Sequence, residues 1–243
     1  MNWLTWLHWP QDELGNMLLK EVFEAQGKQG LVFTFGRFNP PTWGHKENFD
    51  EVKKVADKLG FDHLIFISPK QDFKADPKLL AKGIMVPKSP LTFEERFDYL
   101  THMYPQYKFN PNPALNTAYV VLDKLGPKYK KMIFLVGQDQ IDDGGFDKLP
   151  EYAAQEGIEL IVQSSGPRTV GVSGSDAKAY AVLGKEKEFY KLLGNSGPAA
   201  KKLMQLIKQR ADQTKMPRVK KADQPKTTKT TKATKNTRQT QKT

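Results

Sequence analysis

Between residues 31 and about 196, short apolar runs alternate with longer segments whose apolar side chains recur every three or four positions. LVFTF (31–35), DHLIFIS (62–68), KKMIFLV (130–136) and IELIVQ (158–163) are apolar on successive residues, and YKFN (107–110) is a shorter run of the same kind. Runs of this length without a polar face predict buried strands. The segments from about Gly44 to Leu59, 91–104, 116–126 and near 147–156 carry helical periodicity. In LTFEERFDYLTHMY (91–104) the inward residues are Leu91, Phe93, Phe97, Leu100 and Tyr104. A long basic loop joins the second strand to that helix. Strands separated by helices predict an α/β fold, a Rossmann-like parallel sheet with helices on both faces. Ligands of such sheets bind beyond the carboxyl ends of the strands.

Two segments flank this unit, giving three parts, 1–30, 31–196 and 197–243. The first is an aromatic arm. Trp3, Trp6 and Trp9 are spaced for one helical face, Pro10 ends that element, and LGNMLLKEVFEAQG forms a second short amphipathic helix. The arm either packs on its own domain or anchors a protein partner or membrane surface. Its lack of Lys or Arg before Lys20 argues against anionic lipid. The last part begins with one helix, AAKKLMQLIKQRAD, and continues as PKTTKTTKATKNTRQTQKT. That tail has no apolar side chain larger than alanine and cannot bury enough surface to fold alone, so it is expected to be disordered.

Charge sharpens this division. The net charge is +11. From Lys201 onward there are 14 Lys/Arg against 2 Asp/Glu, which leaves 24 against 25 before it. The body is neutral and the tail carries the excess, so a polyanionic partner such as nucleic acid belongs to the tail. With no cysteine, disulfides and thiolate metal sites are excluded, in keeping with a reducing cytoplasm. The start, MNWLTWLHWPQDELGN, lacks the basic region and long apolar core of a secretion signal, and no window of the sequence is apolar enough to span a membrane.

The candidate chemistry sits after the first strand, in GRFNPPTWGH (36–45). Gly36 can let a ligand approach the backbone, and Pro40 and Pro41 stiffen the turn. Gly44 and His45 enter the next helix, whose free N–H groups favour an anion. Thr42 lies three residues before His45, so hydroxyl and imidazole can point to one side. A hydroxyl, an imidazole and helix N-terminal amides converging on one point make a phosphate site. His8, His63 and His102 have no comparable setting and read as structural or surface residues. A second stretch, GVSGSDAKAY (171–180), puts Ser173, Gly174 and Ser175 before a helical segment, with Asp176 and Lys178 in its first turn. Ser173 or Ser175 can cap the helix, and the same groups with Lys178 can hold phosphate oxygens.

GRFNPPTWGH resembles the G-x-F-x-P-x-[HT]-x-G-H signature of the nucleotidyltransferase superfamily related to class I aminoacyl-tRNA synthetases, which includes cytidylyltransferase-like proteins. VSGSDAK resembles that superfamily's second signature, I-S-x-[ST]-x-x-R. SPLTFEER (89–96) is similar to the N-P-F-T-x-x-E-R stretch of archaeal-type nicotinamide mononucleotide (NMN) adenylyltransferases, whose first signature also opens G-R-F. FLVGQD (134–139) is similar to the strand plus G-x-D segment on which adenylyltransferases bind nucleotide. Phage-borne members look similar too, which would place the protein in a host cytoplasm or a virion. Two positions depart from the pattern. Thr42 replaces the first histidine, as in the phosphopantetheine adenylyltransferase branch. Lys178 replaces the second signature's arginine, keeping the charge and losing the bidentate fork.

The resemblance implies transfer of a nucleoside monophosphate from a triphosphate to a phosphorylated small-molecule acceptor, with ATP and NMN favoured and pyrophosphate released. His45 and Thr42 would serve the α-phosphate, and Ser173, Gly174, Ser175 and Lys178 the β- and γ-phosphates. Gly36, Arg37, Phe38, Gly44, Gly137 and Asp139 would line the nucleotide, and Arg96 would meet the acceptor's phosphate unless it is a surface arginine. Mg²⁺ would come with the triphosphate, without a dedicated carboxylate cage. One alternative is a cytidylyltransferase using CTP and a phosphorylated alcohol. Another is a structural or nucleic-acid-binding protein on a degenerate transferase fold. A chain ending near Asp212 is expected to keep the catalytic part.

Overall fold

The computed structural model describes residues 30–167 and 171–216. The expected Trp arm and the Lys/Thr-rich run lie outside the described residues. Four strands form one fully parallel sheet in the order β2-β1-β5-β6, where β1 is Gly30–Gly36, β2 Asp62–Ile67, β5 Lys131–Val136 and β6 Glu159–Ser164. The YKFN run does not form a strand of its own. Phe109 makes a single parallel bridge to Ile65 at the outer edge of β2. From β1 the chain winds outward through β2, then returns to the other side of β1 for β5 and β6. That reversal opens a crevice between the carboxyl ends of β1 and β5.

The two central strands, β1 and β5, are buried on both faces because their side chains alternate between two apolar layers. Leu31, Phe33, Phe66, Met132, Phe134 and Val136 belong to one cluster. Phe33 stacks on Phe134 at 4.7 Å and meets Phe66 edge-on at 5.8 Å. Helices α4 (Ala118–Leu125) and α6 (Leu149–Gln155) cover this side through Val121, Leu122, Leu149 and Ala153. On the opposite face Val32, Ile133 and Leu135 pack against Val52, Val55 and Ala56 of α1 (Trp43–Leu59). A third cluster joins α3 (Phe93–Met103), α7 (Gly174–Val182), α8 (Glu186–Leu193) and α9 (Pro198–Ala211) beside the edge of β2. Leu203, Met204 and Ile207 of α9 are buried there, so the helix grouped with the tail by sequence packs into this cluster.

The basic loop after β2 has more structure than its composition suggests. Residues Asp72–Ala75 (β3) and Pro87–Ser89 (β4) form an antiparallel pair around a one-turn helix, α2 (Pro77–Leu80). Asp76 caps α2 by accepting from the Lys78 amide at 3.0 Å, with Pro77 at the first helical position. The chain returns to this hairpin near its end. Lys215 donates its amide to Phe73 O at 2.8 Å and accepts from the Ala75 amide at 3.0 Å. A short helix, α5 (Gln138–Asp142), follows β5.

His63 is buried in β2, and its Nε2 accepts a hydrogen bond from the Lys108 amide at 3.1 Å. That bond fixes the 107–110 segment to the sheet edge and needs an unprotonated Nε2. Burial, and then the charges of Lys108 and Lys53, push the His63 pKa below its ordinary 6.5. The unfolded chain therefore binds the proton first as pH falls, so stability is full above about pH 6.5 and declines below it. Urea unfolding at pH 7.5 and 5.5 is expected to show this loss. His63→Gln, which keeps an acceptor without titrating, is expected to flatten it.

Candidate active site

The signature loop between β1 and α1 is held in a strained form by its neighbours. Phe38 has φ 42°, a left-handed conformation that a bulky side chain avoids. Its ring turns back over Gly36, where a Cβ would lie 2.5 Å from the ring. Gly36 thus leaves room for the Phe38 ring, and it also borders the cleft. The ring is buried and meets His45 and Phe49 edge-on, each at 5.1 Å, so it belongs to the core beneath the loop. Asn39, the next residue, clamps the loop to Leu91. Its Nδ2 donates to Leu91 O at 2.8 Å and its Oδ1 accepts from the Leu91 amide at 3.1 Å.

Arg96 completes the clamp. Expected as a phosphate contact or a surface side chain, it is neither: it is fully buried and does not border the cleft. Its Nε donates to Thr92 O at 2.8 Å and its Nη1 to the Arg37 carbonyl. Burial pushes its pKa down to about 10, which leaves a cation at neutral pH aimed at the loop's backbone. The preceding Thr92 and Glu95 form a capping box, and Arg210 of α9 grips the Glu95 carboxylate with both terminal nitrogens. The T-x-x-E-R stretch therefore serves the loop mechanically.

At the start of α1, His45 is the third helical residue and reaches back to the N-cap. The Thr42 amide lies 2.9 Å from His45 Nδ1, and Thr42 Oγ1 lies 2.9 Å from the same nitrogen. An amide can only donate, so Nδ1 accepts and the neutral ring carries its proton on Nε2. Thr42 is buried and acts on the ring's orientation.

A cleft of about 530 Å³ lies over this loop. It is bordered by Gly36–Pro40, Thr42, Gly44 and His45 after β1, by Gly137, Asp139 and Gln140 after β5, and by Ser165–Pro167 after β6. Its far wall is Val172–Ser175 with Lys178, and its side wall is Asp76–Lys78, Lys88 and Ser89 of the hairpin. The two signatures meet here: a Cβ on Gly174 would lie 3.8 Å from Asn39 O and 3.9 Å from Pro40 O. Every residue expected at the nucleotide, from Gly36 to Lys178, borders this one cleft; Arg96 does not.

The second signature is engaged within the protein. Ser173 Oγ accepts from the Ser175 amide at 3.2 Å and the Asp176 amide at 3.4 Å. Lys178 is buried, and its Nζ donates to Asp76 Oδ2 at 2.6 Å and to Lys88 O at 2.7 Å. Ser175 Oγ donates to the same Asp76 oxygen at 2.9 Å. Burial raises the Asp76 carboxyl, but Lys178 and Ser175 outweigh it and hold it below the usual carboxylate range. Burial lowers the Lys178 ammonium, against the pull of Asp76. Asp76 and Asn39 escaped the sequence reading. The Asp-Pro pair of residues 76–77 did announce a helix start, but its partner in α7 is 102 residues away.

The cytidylyltransferase-like family model matches residues 33–180, which include both signatures and the parallel sheet apart from the first three residues of β1. The chain belongs to the cytidylyltransferase-like family. Among solved structures, the Plasmodium falciparum nicotinic acid mononucleotide adenylyltransferase complexed with NaAD is similar, with a TM-score of 0.47 and 16% identity, covering 73% of this chain and 95% of that one. The macrolide-efflux protein from Streptococcus pneumoniae is similar with a TM-score of 0.38 and 20% identity, covering 70% of this chain and 56% of that one. No curated protein matches in sequence. No helix among the described residues is long and apolar enough to cross a membrane.

For this cytidylyltransferase-like protein, the clamp on the signature loop gives a direct test. Asn39→Ala strips partners from the Leu91 amide and carbonyl, each worth about 1–3 kcal/mol when left bare and buried. Asn39→Asp keeps the acceptor and loses the donor. Urea unfolding is expected to rank wild type above Asn39→Asp above Asn39→Ala, and equal midpoints would refute the clamp.

Proposed function

We propose that this protein transfers a nucleoside monophosphate from a nucleoside triphosphate, ATP before CTP, to a phosphorylated small-molecule acceptor, with pyrophosphate leaving. NMN is the favoured acceptor. The reading rests on His45. Its Nδ1 is tied by the Thr42 amide, and it borders a cleft of nucleotide size at the crevice of a parallel sheet. The opening G-R-F and the L-T-F-E-E-R stretch favour an adenylyl group and a mononucleotide acceptor.

An oxygen of the acceptor's phosphate attacks the α-phosphorus. The bond to the β-phosphate oxygen breaks, and pyrophosphate leaves with the electron pair. His45 Nε2–H donates to the α-phosphate as negative charge builds on it and on the leaving group. The chain's task is positioning and charge stabilisation, so no nucleophilic side chain is required. Mg²⁺ fits as a companion of the triphosphate, neutralising its charge. The described residues hold no cluster of three metal-ligating side chains, and Asp76 is committed to Lys178. Exposed Glu47 and Asp139, at the cleft edge, are the carboxylates beside which a largely water-bound ion would sit.

The basic tail is proposed as a nucleic-acid tether. Its Lys and Arg recur about every third residue from Lys226, spaced to follow a phosphate backbone without reading bases. The Trp arm is proposed to serve a protein partner.

Two outcomes are expected. His45→Ala lowers pyrophosphate release by about 10²–10³ with unchanged circular dichroism. The assay pairs ATP and CTP with NMN and a phosphorylated alcohol, and turnover near wild type would sink the assignment. A chain ending after Met216 keeps transfer and loses most DNA binding at low salt. The full chain's log affinity should fall with log salt at about −0.9 per neutralised phosphate. Equal DNA binding by both chains would eliminate the tether. The cut falls after Met216 rather than at Asp212 because Lys215 is paired with β3.

A further inference from the structure

The second signature's cation is occupied, so the question is what holds the phosphate chain. Lys178 is 97% buried and spends two of its three N–H bonds on Asp76 and the Lys88 carbonyl. Ser175, its neighbour in the signature, is spent on the same carboxylate. Ser173 is spent on two helix amides. All three groups that would ordinarily meet phosphate oxygens are thus engaged within the protein: Lys178 and Ser175 pin the β3–β4 hairpin onto α7, and Ser173 caps α7 itself.

The hairpin brings its own charge to the same wall. Lys78 and Lys88 border the cleft with exposed side chains, and Arg37 borders it from the signature loop. None of the three forms an ion pair among the described residues. With Lys178 they place four cations along a cleft whose border also carries the carboxylates of Glu47, Asp76 and Asp139. Arg37 and Lys88 stand close enough for their charge to act on Lys178. Ser89, next to Lys88 in the chain, also borders the cleft; it is 99% buried, and its hydroxyl has no hydrogen-bond partner among the described residues.

We propose that the hairpin lysines Lys88 and Lys78, together with Arg37, carry the β- and γ-phosphates of the bound triphosphate, while Lys178 is an internal strut that positions them through Asp76 and the Lys88 carbonyl. The ligand class is a polyphosphate chain, and the inference rests on the transferase reading for its biological substrate. Side-chain removal at Lys88 leaves the strut intact, because Lys178 bonds the Lys88 backbone.

The experiment titrates inorganic tripolyphosphate into the full-length protein by calorimetry at about 0.15 M salt, which screens exposed charges. The tail adds the same background to every variant, and Lys124→Ala, on α4, controls for loss of one charge. A charge-assisted hydrogen bond is worth about 1.5–3 kcal/mol. That makes Lys88→Ala bind about tenfold or more weakly, with a smaller loss for Lys78→Ala and none for Lys124→Ala. The double variant Asp76→Asn with Lys178→Met removes both charges of the strut and loosens the hairpin, and is expected to weaken binding less than Lys88→Ala does. Should the double variant not fold, Lys88→Ala against Lys124→Ala still decides. Equal effects of Lys88→Ala and Lys124→Ala overturn the proposal, as does full binding by Lys88→Ala alongside loss in the double variant. If Lys88→Ala weakens tripolyphosphate binding while wild type transfers no nucleotide in the pyrophosphate assay, the transferase reading falls and the polyphosphate site stands.

Discussion

Phe38 must fold back over its own chain for the site to exist. A left-handed backbone at a large aromatic residue is costly, of order 1–3 kcal/mol, and persists when the surroundings over-determine it. Three contacts do so here. Gly36 leaves room for the ring, Asn39 fastens the loop to Leu91, and buried Arg96 holds the Arg37 carbonyl. The ring then supports His45 from below, while Thr42 fixes the imidazole's rotation from the side. Loosening any of these moves the imidazole, because the core beneath it is close-packed and transmits displacement.

Charge is arranged on the same logic of commitment. A buried ion pair such as Asp76–Lys178 adds little net stability, because desolvation offsets attraction. Its value is geometric: two segments about a hundred residues apart are brought into one register by a carboxylate that accepts from Lys178, Ser175 and the Lys78 amide. Glu95 with Arg210 does the same for α3 and α9. Both carboxylates also bind a helix N-terminus, so each ties a local element to a distant one.

Much of this was readable in the chain. The four sheet strands announced themselves because parallel strands are apolar on both faces, and GRFNPPTWGH showed its tight turn through its prolines and glycines. What stayed hidden was long-range. Arg96 reads as a surface cation on an amphipathic helix, since nothing local says that its partner is the Arg37 carbonyl. Lys178 reads as a phosphate ligand, and nothing local says that Asp76, 102 residues away, is its partner. The basic hairpin looked like a loop because its two strands are only 4 and 3 residues long, too short for alternation to register.

The pairing of Lys215 with Phe73 and Ala75 bears on the order in which the molecule can assemble. The hairpin supplies Asp76, Lys78 and Lys88 early in the chain, but its outer edge is closed by almost the last described residues. Contacts of such sequence separation carry a high loop-closure cost and slow folding. During synthesis the first signature emerges long before α7, α9 or Lys215, so the hairpin waits with an open strand edge until residue 215 follows it. The cleft wall that carries Asp76, Lys78 and Lys88 therefore has its outer strand edge covered only once the segment after α9 has been made.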